Sequence, residues 1–547
     1  MNKFYHSLFI SLLSLTLWNP PAIKAQNSVQ YALQLIVENG IENDGLKVED
    51  TYLYGQDTII KYYVLREYEP VWADPENRQA YLEIIEGSKD EGLIPEDYHL
   101  EKIKSLMNMG DAIDSYNEAQ LDLLMSDGII LYAHHMNFGK VSQADLRGSW
   151  KVPDTPLPGN SVQLVLNALK THQLKELSQK TGPQHFMYVQ LKNGLKKYRE
   201  IAAAGGWPQV PEGDVLKKEM TDERVAVMRE RLRITGDLTA TDPEDPNYFD
   251  DQLEEAVKNF QFRHNLNQDG VAGKKTIERM NLPVDVRIDM IRLNMERARW
   301  VMNELADDFL VVNIAGFNLR RVTNQEVVYY SPVIVGKKYH ESPIFMATMK
   351  YFVINPTWTV PYSIATRETL PKLQKDPGYL DQQHMIIMDR SGKKLDPYSI
   401  DFSQYSRNNF PFTVRQEPGP HNALGEVKFI FPNPFNVYVH DTPARGLFAR
   451  EERAFSHGCI RLQKKWELLL SLTDDPDEWN MDRINKILAS GETTTVYLDK
   501  PIDILILYWT AGADLEDRIY FDEDVYNRDD AVLKALDSPW KFKAVVE

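Results

Sequence analysis

Apolar residues recur at helical spacing along the first part of the chain, and from Phe309 onward the period shortens to that of strands. Leu121, Leu124, Met125, Gly128, Ile129, Tyr132 and His135 fall on one helix face, and residues 27–235 read as a mostly helical domain. The adjacent pair His134-His135 has no ligand type at i+4 and reads as part of a helix face. Thr235 to Pro246 (TGDLTATDPEDP) is polar, acidic and proline-containing, the pattern of a linker or a long loop. A compact unit follows over residues 247–283. Asp250-Asp251 caps a helix carrying Leu253, Val257 and Phe260, Asn267-Gln268-Asp269-Gly270 makes a turn, and Gly273 opens a second helix through Thr276, Ile277 and Met280. A connector helix is predicted over Val286 to Leu305.

Short β-branched and aromatic runs then dominate: Phe309–Ile314, Val327–Tyr330, Val333–Val335, Tyr351–Ile354, Val427–Phe431, Asn436–His440 and Thr494–Leu498. Residues 306–508 therefore read as a β-rich domain. The polar stretch Ile364–Glu426 is too long for an ordinary connection and reads as an inserted cap. The tail from Ile502 to Glu547 holds an apolar strand-like run and a helix around Asp530–Leu536; its last part, 509–547, is an extension expected to pack on the β-rich domain, with no specific role. The fold class is multidomain: a helical N-terminal domain, a small helical domain, then a β-rich domain with a cap.

The N-terminus changes the picture of where the chain works. Lys3 precedes the apolar stretch Leu8–Trp18, Pro20-Pro21 break it, and Ala25-Gln26 supplies a cut site, so residues 1–25 read as a signal peptide or an uncleaved anchor. Ile23 at the −3 position is a poor match for cleavage. The run is short for a membrane span, so membrane contact is expected only through this segment. The net charge of −18 argues against a nucleic-acid partner. A single cysteine, Cys459, excludes an internal disulfide, and a lone thiol in an exported protein stands out as reactive.

Two segments carry the chemistry. In Asn436-Val437-Tyr438-Val439-His440-Asp441-Thr442, strand alternation places Asn436, Tyr438 and His440 on one face and the valines in a core. In Ser456-His457-Gly458-Cys459-Ile460-Arg461-Leu462, the thiol follows a glycine that permits a tight bend, so that successive N–H groups converge as an oxyanion hole requires. An unperturbed thiol has a pKa of about 8.5, and a nearby imidazole supplies both a proton acceptor and a counter-charge. Arg461 has three readings that the residues leave open: local positive potential, a hold on a substrate carboxylate, or a tie for the loop.

These residues bring two resemblances. The string AVKNFQFRHNLNQDGVAGKKTIERMN is similar to the small helical peptidoglycan-binding domain found beside wall enzymes, through Phe260, Gln261, Asp269, Gly270, Gly273 and Thr276, with Asn265 where glycine is usual. The arrangement HDT…SHGCIRL resembles the L,D-transpeptidase family, especially its large branch with scaffold and peptidoglycan-binding domains. Val335-Gly336-Lys337, Asn355–Pro361 and Asn422–Phe429 support it. The resemblance implies Cys459 as nucleophile and His440 as base, with the backbone of His457, Gly458 and Cys459 as oxyanion hole. It also implies Tyr438, Arg461, Trp358, Asn422 and Ser456 at the substrate, no cofactor and no metal. His340-Glu341-Ser342-Pro343 departs from the pattern, since relatives have threonine before the proline, and little consequence is expected of it.

The implied reaction is attack of the thiolate on a tetrapeptide stem of peptidoglycan at the diamino acid–D-Ala bond. D-Ala is released and the acyl group passes to a neighbouring stem amine, a 3-3 cross-link in the periplasm of a Gram-negative-type bacterium. Water as acceptor would make the chain an L,D-carboxypeptidase, and a protein lysine would make it an attachment enzyme. Carbapenems are the implied covalent inhibitors. The rivals are a zinc site from His440, His457 and Cys459, which lacks a fourth ligand at usual spacing, a papain-like protease, whose local signature is absent, and a non-catalytic wall-binding protein.

Overall fold

The computed structural model describes residues 28–539, apart from 44, 144–145, 147–149, 152–160, 242, 474, 476 and 514–517. The expected export segment lies outside the described residues, and among them no helix is long and apolar enough to cross a membrane. The first domain is built around helix α1 (Ser115–Phe138), which is buried on most of its circumference from Ala119 to Tyr132. Its N-terminus is fixed by the Asp114 carboxylate, which accepts from the N–H groups of Tyr116 and Asn117, and Gly139 ends it. Burial so complete forces polar residues inside to find partners. Asp122 accepts from the backbone of Val71 and Trp72, and His135 Nδ1 lies 3.0 Å from the Tyr98 hydroxyl. Helix α2 (Phe186–Ala203) leaves this domain, its Leu191 and Leu195 reaching a shared core with the strands beyond.

The small helical domain comprises α3 (Glu223–Thr235), α4 (Asp251–Arg263) and α5 (Lys274–Met280). Its core unites Val225, Met228 and Leu232 with Leu253, Phe260 and Ile277. The boundary expected at residue 235 is therefore corrected: α3 belongs with the small domain, because its apolar face has its partners there. Thr235–Pro246 is accordingly a long internal loop of that domain, the second of the two readings. Its Asp237 forms a buried ion pair with Arg263. Gln261 shows why this turn needs an amide: Nε2 donates to Asp269 Oδ1 (2.8 Å) and to the Val271 carbonyl (3.0 Å), while Oε1 accepts from Gly270 N (2.9 Å).

His264 ends this domain against its neighbour, its ring stacked 3.8 Å from Phe260 and 5.7 Å from Phe521. Burial, with the charges of Arg287 and Arg263, holds the imidazole well below its usual range. The unfolded chain takes up a proton below about pH 6.5 that the folded chain refuses, so this group's stabilisation is complete above that pH and falls away as pH drops. Substituting His264→Phe should remove about 1 kcal/mol of the stability lost between pH 6.5 and 5.5. Denaturant titrations of both proteins at the two pH values read this, and parallel losses would refute it.

Helix α6 (Val284–Arg299) connects to the β-rich domain, starting two residues before the predicted Val286 and giving way to a short 3-10 turn at Met302–Glu304. It packs on α2 through Ile291 and Met295, and both helices pack on the first strand. The strands of the barrel are β1 (Asp308–Asn313), β2 (Asn318–Thr323), β3 (Glu326–Gly336), β4 (Ile344–Ile354), β5 (Val427–Ile430), β6 (Val439–His440), β7 (Ala454–Ser456), β8 (Ile460–Leu462) and β9 (Thr494–Leu507). The order β1-β2-β3-β8-β6-β5-β4-β9 closes on itself, because β9 pairs with β1 and β5 pairs with β4; β7 adds to β3 outside the ring. Closure removes the open edges that such apolar strands would expose. The interior is filled by Leu310, Val312, Val333, Phe352, Val439 and Ile460 among others.

The C-terminal extension contributes β10 (Ala511–Ala513), β11 (Ile519–Phe521) and helix α7 (Asp529–Asp537). Val532 and Leu536 of α7 enter the core of the first domain, and Arg297 of α6 pairs with Asp529. The extension thus joins all the domains.

Candidate active site

The site forms where β7 turns into β8. β7 runs parallel to the end of β3, and β8 lies between β3 and β6 with Arg461 opposite His440. The chain makes this turn in Ser456–Cys459, and Gly458 adopts φ +114, a conformation that side chains strain. The space there is open, so backbone geometry and not crowding requires the glycine. Ser456 is buried; its Oγ accepts from Gly458 N (3.0 Å) and donates to the Cys459 carbonyl (2.6 Å). It shapes the turn, and its hydroxyl is taken up by two backbone groups.

A second brace comes from Ser342, which the sequence pattern marks as inconsequential. Its Oγ donates to the Gly458 carbonyl at 2.8 Å and accepts from Gly336 N at 3.0 Å. Tyr526 of the extension donates to the Gly336 carbonyl (2.5 Å) and accepts from Ser342 N (3.3 Å), and Arg528 pairs with Glu341. Far in sequence, Ser342 is adjacent to the thiol in space. Ser342→Ala would leave two buried backbone groups unpaired, at about 1–3 kcal/mol each. We expect a tenfold or greater fall in the rate of thiol acylation, with Ser342→Thr restoring it. An alanine variant as fast as wild type would show that the brace is idle.

Cys459 is partly exposed and donates weakly to the Asn436 carbonyl at 3.8 Å. Asn436 itself has φ +55, and regular strand geometry begins only at Val439. The predicted strand from Asn436 is thus corrected: the Asn433 side chain accepts from Phe435 N and Val437 N and folds this stretch into a turn. The turn brings Tyr438 beside the sulfur, with Trp358 next to Tyr438. Burial pushes the Cys459 thiol up, against Tyr438 and the charge of Arg461, which pull it down. Arg461 forms no ion pair among the described residues and its Nε is buried without an acceptor. Its charge acts on both Cys459 and His440, in keeping with the first of the three readings, local positive potential.

His440 is buried, and desolvation, then the Arg461 charge, brings it down to about 3. At neutral pH it is an uncharged base. Its Nδ1 lies 2.5 Å from the Asp441 carbonyl, its ring is 5.6 Å from that of Tyr438, and no hydrogen bond joins it to Cys459. Asp441 is held in turn by Glu426 N (3.0 Å), Arg445 (2.9 Å) and Lys465. Of the expected oxyanion donors, Gly458 N–H is engaged by Ser456. The N–H groups of His457 and Cys459 have no acceptor among the described residues. That reduces the expected three donors to two.

The cap has its own sheet (385–388, 394–395, 413–416 and 358–359) and its own core of Val360, Leu370, Leu380, Ile387 and Val414. It begins earlier than the predicted Ile364. Asn422 is buried at its base: Nδ2 donates to the Pro356 (2.9 Å) and Glu417 (3.0 Å) carbonyls and Oδ1 accepts from Leu424 N (2.8 Å). It clamps the two legs of the cap together, and both ends of its amide are taken up by backbone groups instead of facing the cleft. Glu368 of the cap reaches His457 Nε2 at 2.8 Å, beside the His340 ring at 5.2 Å. With His457 turned to the cap and His440 to Asp441, the ligand atoms of His440, His457 and Cys459 do not converge on a metal position. Among the described residues, the group that does is Asp74, Glu76 and His172 on the first domain.

Comparison with known proteins follows the same division of the chain. Residues 307–482 match the L,D-transpeptidase catalytic domain (YkuD), 221–280 the "Putative peptidoglycan binding domain", and 57–195 the scaffold domain. A curated Haemophilus influenzae relative, "Putative L,D-transpeptidase", is 36% identical over 202 residues, covering 37% of this chain and 41% of its own length. The chain thus spans less than half the length of that relative. An L,D-transpeptidase structure from Stackebrandtia nassauensis is 13% identical, covering 55% of this chain and 96% of its own, with a TM-score of 0.22. One from Xylanimonas cellulosilytica (residues 123–326) is 12% identical, covering 54% of this chain and 99% of its own, with a TM-score of 0.16. Overlays this loose carry no argument.

Proposed function

We propose, for a chain whose residues 307–482 are an L,D-transpeptidase catalytic domain behind scaffold and peptidoglycan-binding domains, that it cross-links peptidoglycan stems outside the cytoplasm through Cys459. The observation that carries this reading is the setting of the one thiol: a glycine turn, with Tyr438 and the Arg461 charge beside the sulfur.

The Cys459 proton passes to neutral His440 as the sulfur attacks the carbonyl carbon between the diamino acid and terminal D-Ala. His440 must approach the sulfur for this, as catalytic bases often do only in the substrate complex. The oxyanion is met by the N–H groups of Cys459 and His457. Collapse breaks the amide, the His440 proton goes to the leaving D-Ala nitrogen, and a thioester remains. A stem amine then attacks the thioester, yields its proton to His440 and releases the thiol, leaving the 3-3 cross-link. Trp358, next to Tyr438, forms a wall of the donor cleft. Water in place of the amine gives carboxypeptidase activity, and a protein lysine gives attachment; the cap over His457 is the element that would exclude them.

Purified protein incubated with disaccharide tetrapeptides is expected to release D-Ala and yield dimers. Release of D-Ala with tripeptide alone would assign the carboxypeptidase reading. Sacculus binding with no D-Ala released would assign the non-catalytic one.

A further inference from the structure

One cavity of the molecule is unconnected with the thiol. It has a volume of about 410 Å³ and opens where the small helical domain, the barrel and the C-terminal extension meet. Its walls come from the turn after α4 (Asn265–Gln268), from Arg320 and Tyr330 on β2 and β3, from Arg450 and Arg453 ahead of β7, and from Tyr520 on β11 with Asp522. The size suits a short peptide rather than an ion or a folded partner.

The cavity is preformed. Glu451 accepts from Asn267 N (2.9 Å) and from Lys275 (2.9 Å), Arg279 pairs with Glu523 (2.7 Å), and Arg263 donates to the Ile519 carbonyl (2.5 Å). These contacts fix the three walls before any ligand arrives. Its charge is uneven. Among the described residues, Arg320, Arg450 and Arg453 have no carboxylate within 4 Å, while Glu451 is already neutralised by Lys275. Arg453 Nε is buried with no acceptor at all, although its terminal nitrogens reach the Arg450 and Phe317 carbonyls. A buried guanidinium nitrogen left unpaired is costly unless something completes it. Asp522 lies at the floor; burial lifts its carboxyl to about 7, against the opposing charges of Arg320 and Arg453. At neutral pH it is only partly ionised, so it cancels part of their charge and leaves the arginines in excess. The Arg320 guanidinium also lies 5.3 Å from the Tyr520 ring and 5.9 Å from the Tyr330 ring, which holds it in place for a planar bidentate acceptor.

We infer that this junction cavity is a second substrate site, which binds the carboxylate-bearing end of a peptidoglycan stem peptide through Arg320, Arg450 and Arg453. The inference rests on the proposed function for its ligand class. It gives the peptidoglycan-binding domain a shared role with the barrel: the two form one pocket, so a strand held there stays beside the catalytic unit.

The test uses the full chain with Cys459 alkylated by iodoacetamide, so that binding is read without turnover. Calorimetry with a disaccharide tetrapeptide, and with the same compound after its carboxylates are converted to amides, measures the site. An Arg320→Gln/Arg450→Gln protein should bind the acid form at least tenfold more weakly than wild type, and amidation should weaken wild-type binding by a similar factor. Arg450→Gln alone, at an exposed side chain, should give part of the loss with unchanged thermal melting, which guards against misfolding of the double variant. Equal affinity of wild type and double variant, or indifference to amidation, would overturn the site. The unalkylated double variant should keep the wild-type rate of iodoacetamide reaction at Cys459. Absence of D-Ala release by the wild type would refute the proposed activity while leaving this binding comparison readable.

Discussion

Substituting Cys459→Ala is expected to abolish D-Ala release and dimer formation, with a loss of about 10⁴-fold or more, and to abolish any covalent adduct with a carbapenem. The size follows from the chemistry. No other side chain of the protein is a thiol, so loss of Cys459 removes the group that forms the acyl intermediate. Hydrogen-bond donors and a shaped cleft without a nucleophile give only the residual rate that binding and an oxyanion hole can supply. Intact mass after carbapenem exposure should show one adduct on the wild type and none on the variant. An adduct or continued turnover in the alanine protein would move the nucleophile elsewhere. The substitution removes a partly exposed sulfur with one weak hydrogen bond, so the fold should survive it.

The second large effect is expected at His440. His440→Asn should lower kcat/KM by about 10²–10⁴-fold, the usual contribution of a positioned base. Asparagine retains a donor for the Asp441 carbonyl, which now faces Nδ1 at 2.5 Å, so the loss reports on proton transfer more than on folding. The pH profile is the sharper test. A residue brought down to about 3 by burial and by Arg461 stays an uncharged base throughout the range in which an ordinary histidine protonates. The wild-type kcat/KM should therefore show no acid limb centred near 6.5, the value of a free imidazole. A limb at that pH, lost in His440→Asn, would mean that the base titrates normally and that its burial relaxes before the reaction.

The site depends on parts of the chain that have no chemistry of their own. Tyr526 and Ser342 hold the Gly336 turn, that turn holds Gly458, and Gly458 presents the thiol. α7 anchors the same extension in the core of the first domain. The C-terminal extension is thus linked to Cys459 through a short chain of hydrogen bonds.

How much could be read in the sequence depended on the range of the forces concerned. The helical first part, the β-rich second part, the inserted cap and the chemistry-bearing segments around His440 and Cys459 were legible, because periodicity, turn residues and a lone thiol are local properties. The placing of α3 was not, since its apolar stripe is the same whichever neighbour covers it; only the shared core with Phe249 and Phe260 decided it. The strand face drawn through Asn436 also failed, because the Asn433 side chain captures two backbone N–H groups and bends the chain. Asn422 and Ser456 carry polar groups that a sequence cannot tell from ligand contacts; in the fold those groups are saturated by nearby backbone. Ser342, Glu368 and Tyr526 gave no local signal, as their partners lie far along the chain. The sequence by itself determined which atoms can do chemistry. Tertiary structure decided which of them meet and which charges face them, because burial and long-range contact exist only once the barrel has closed.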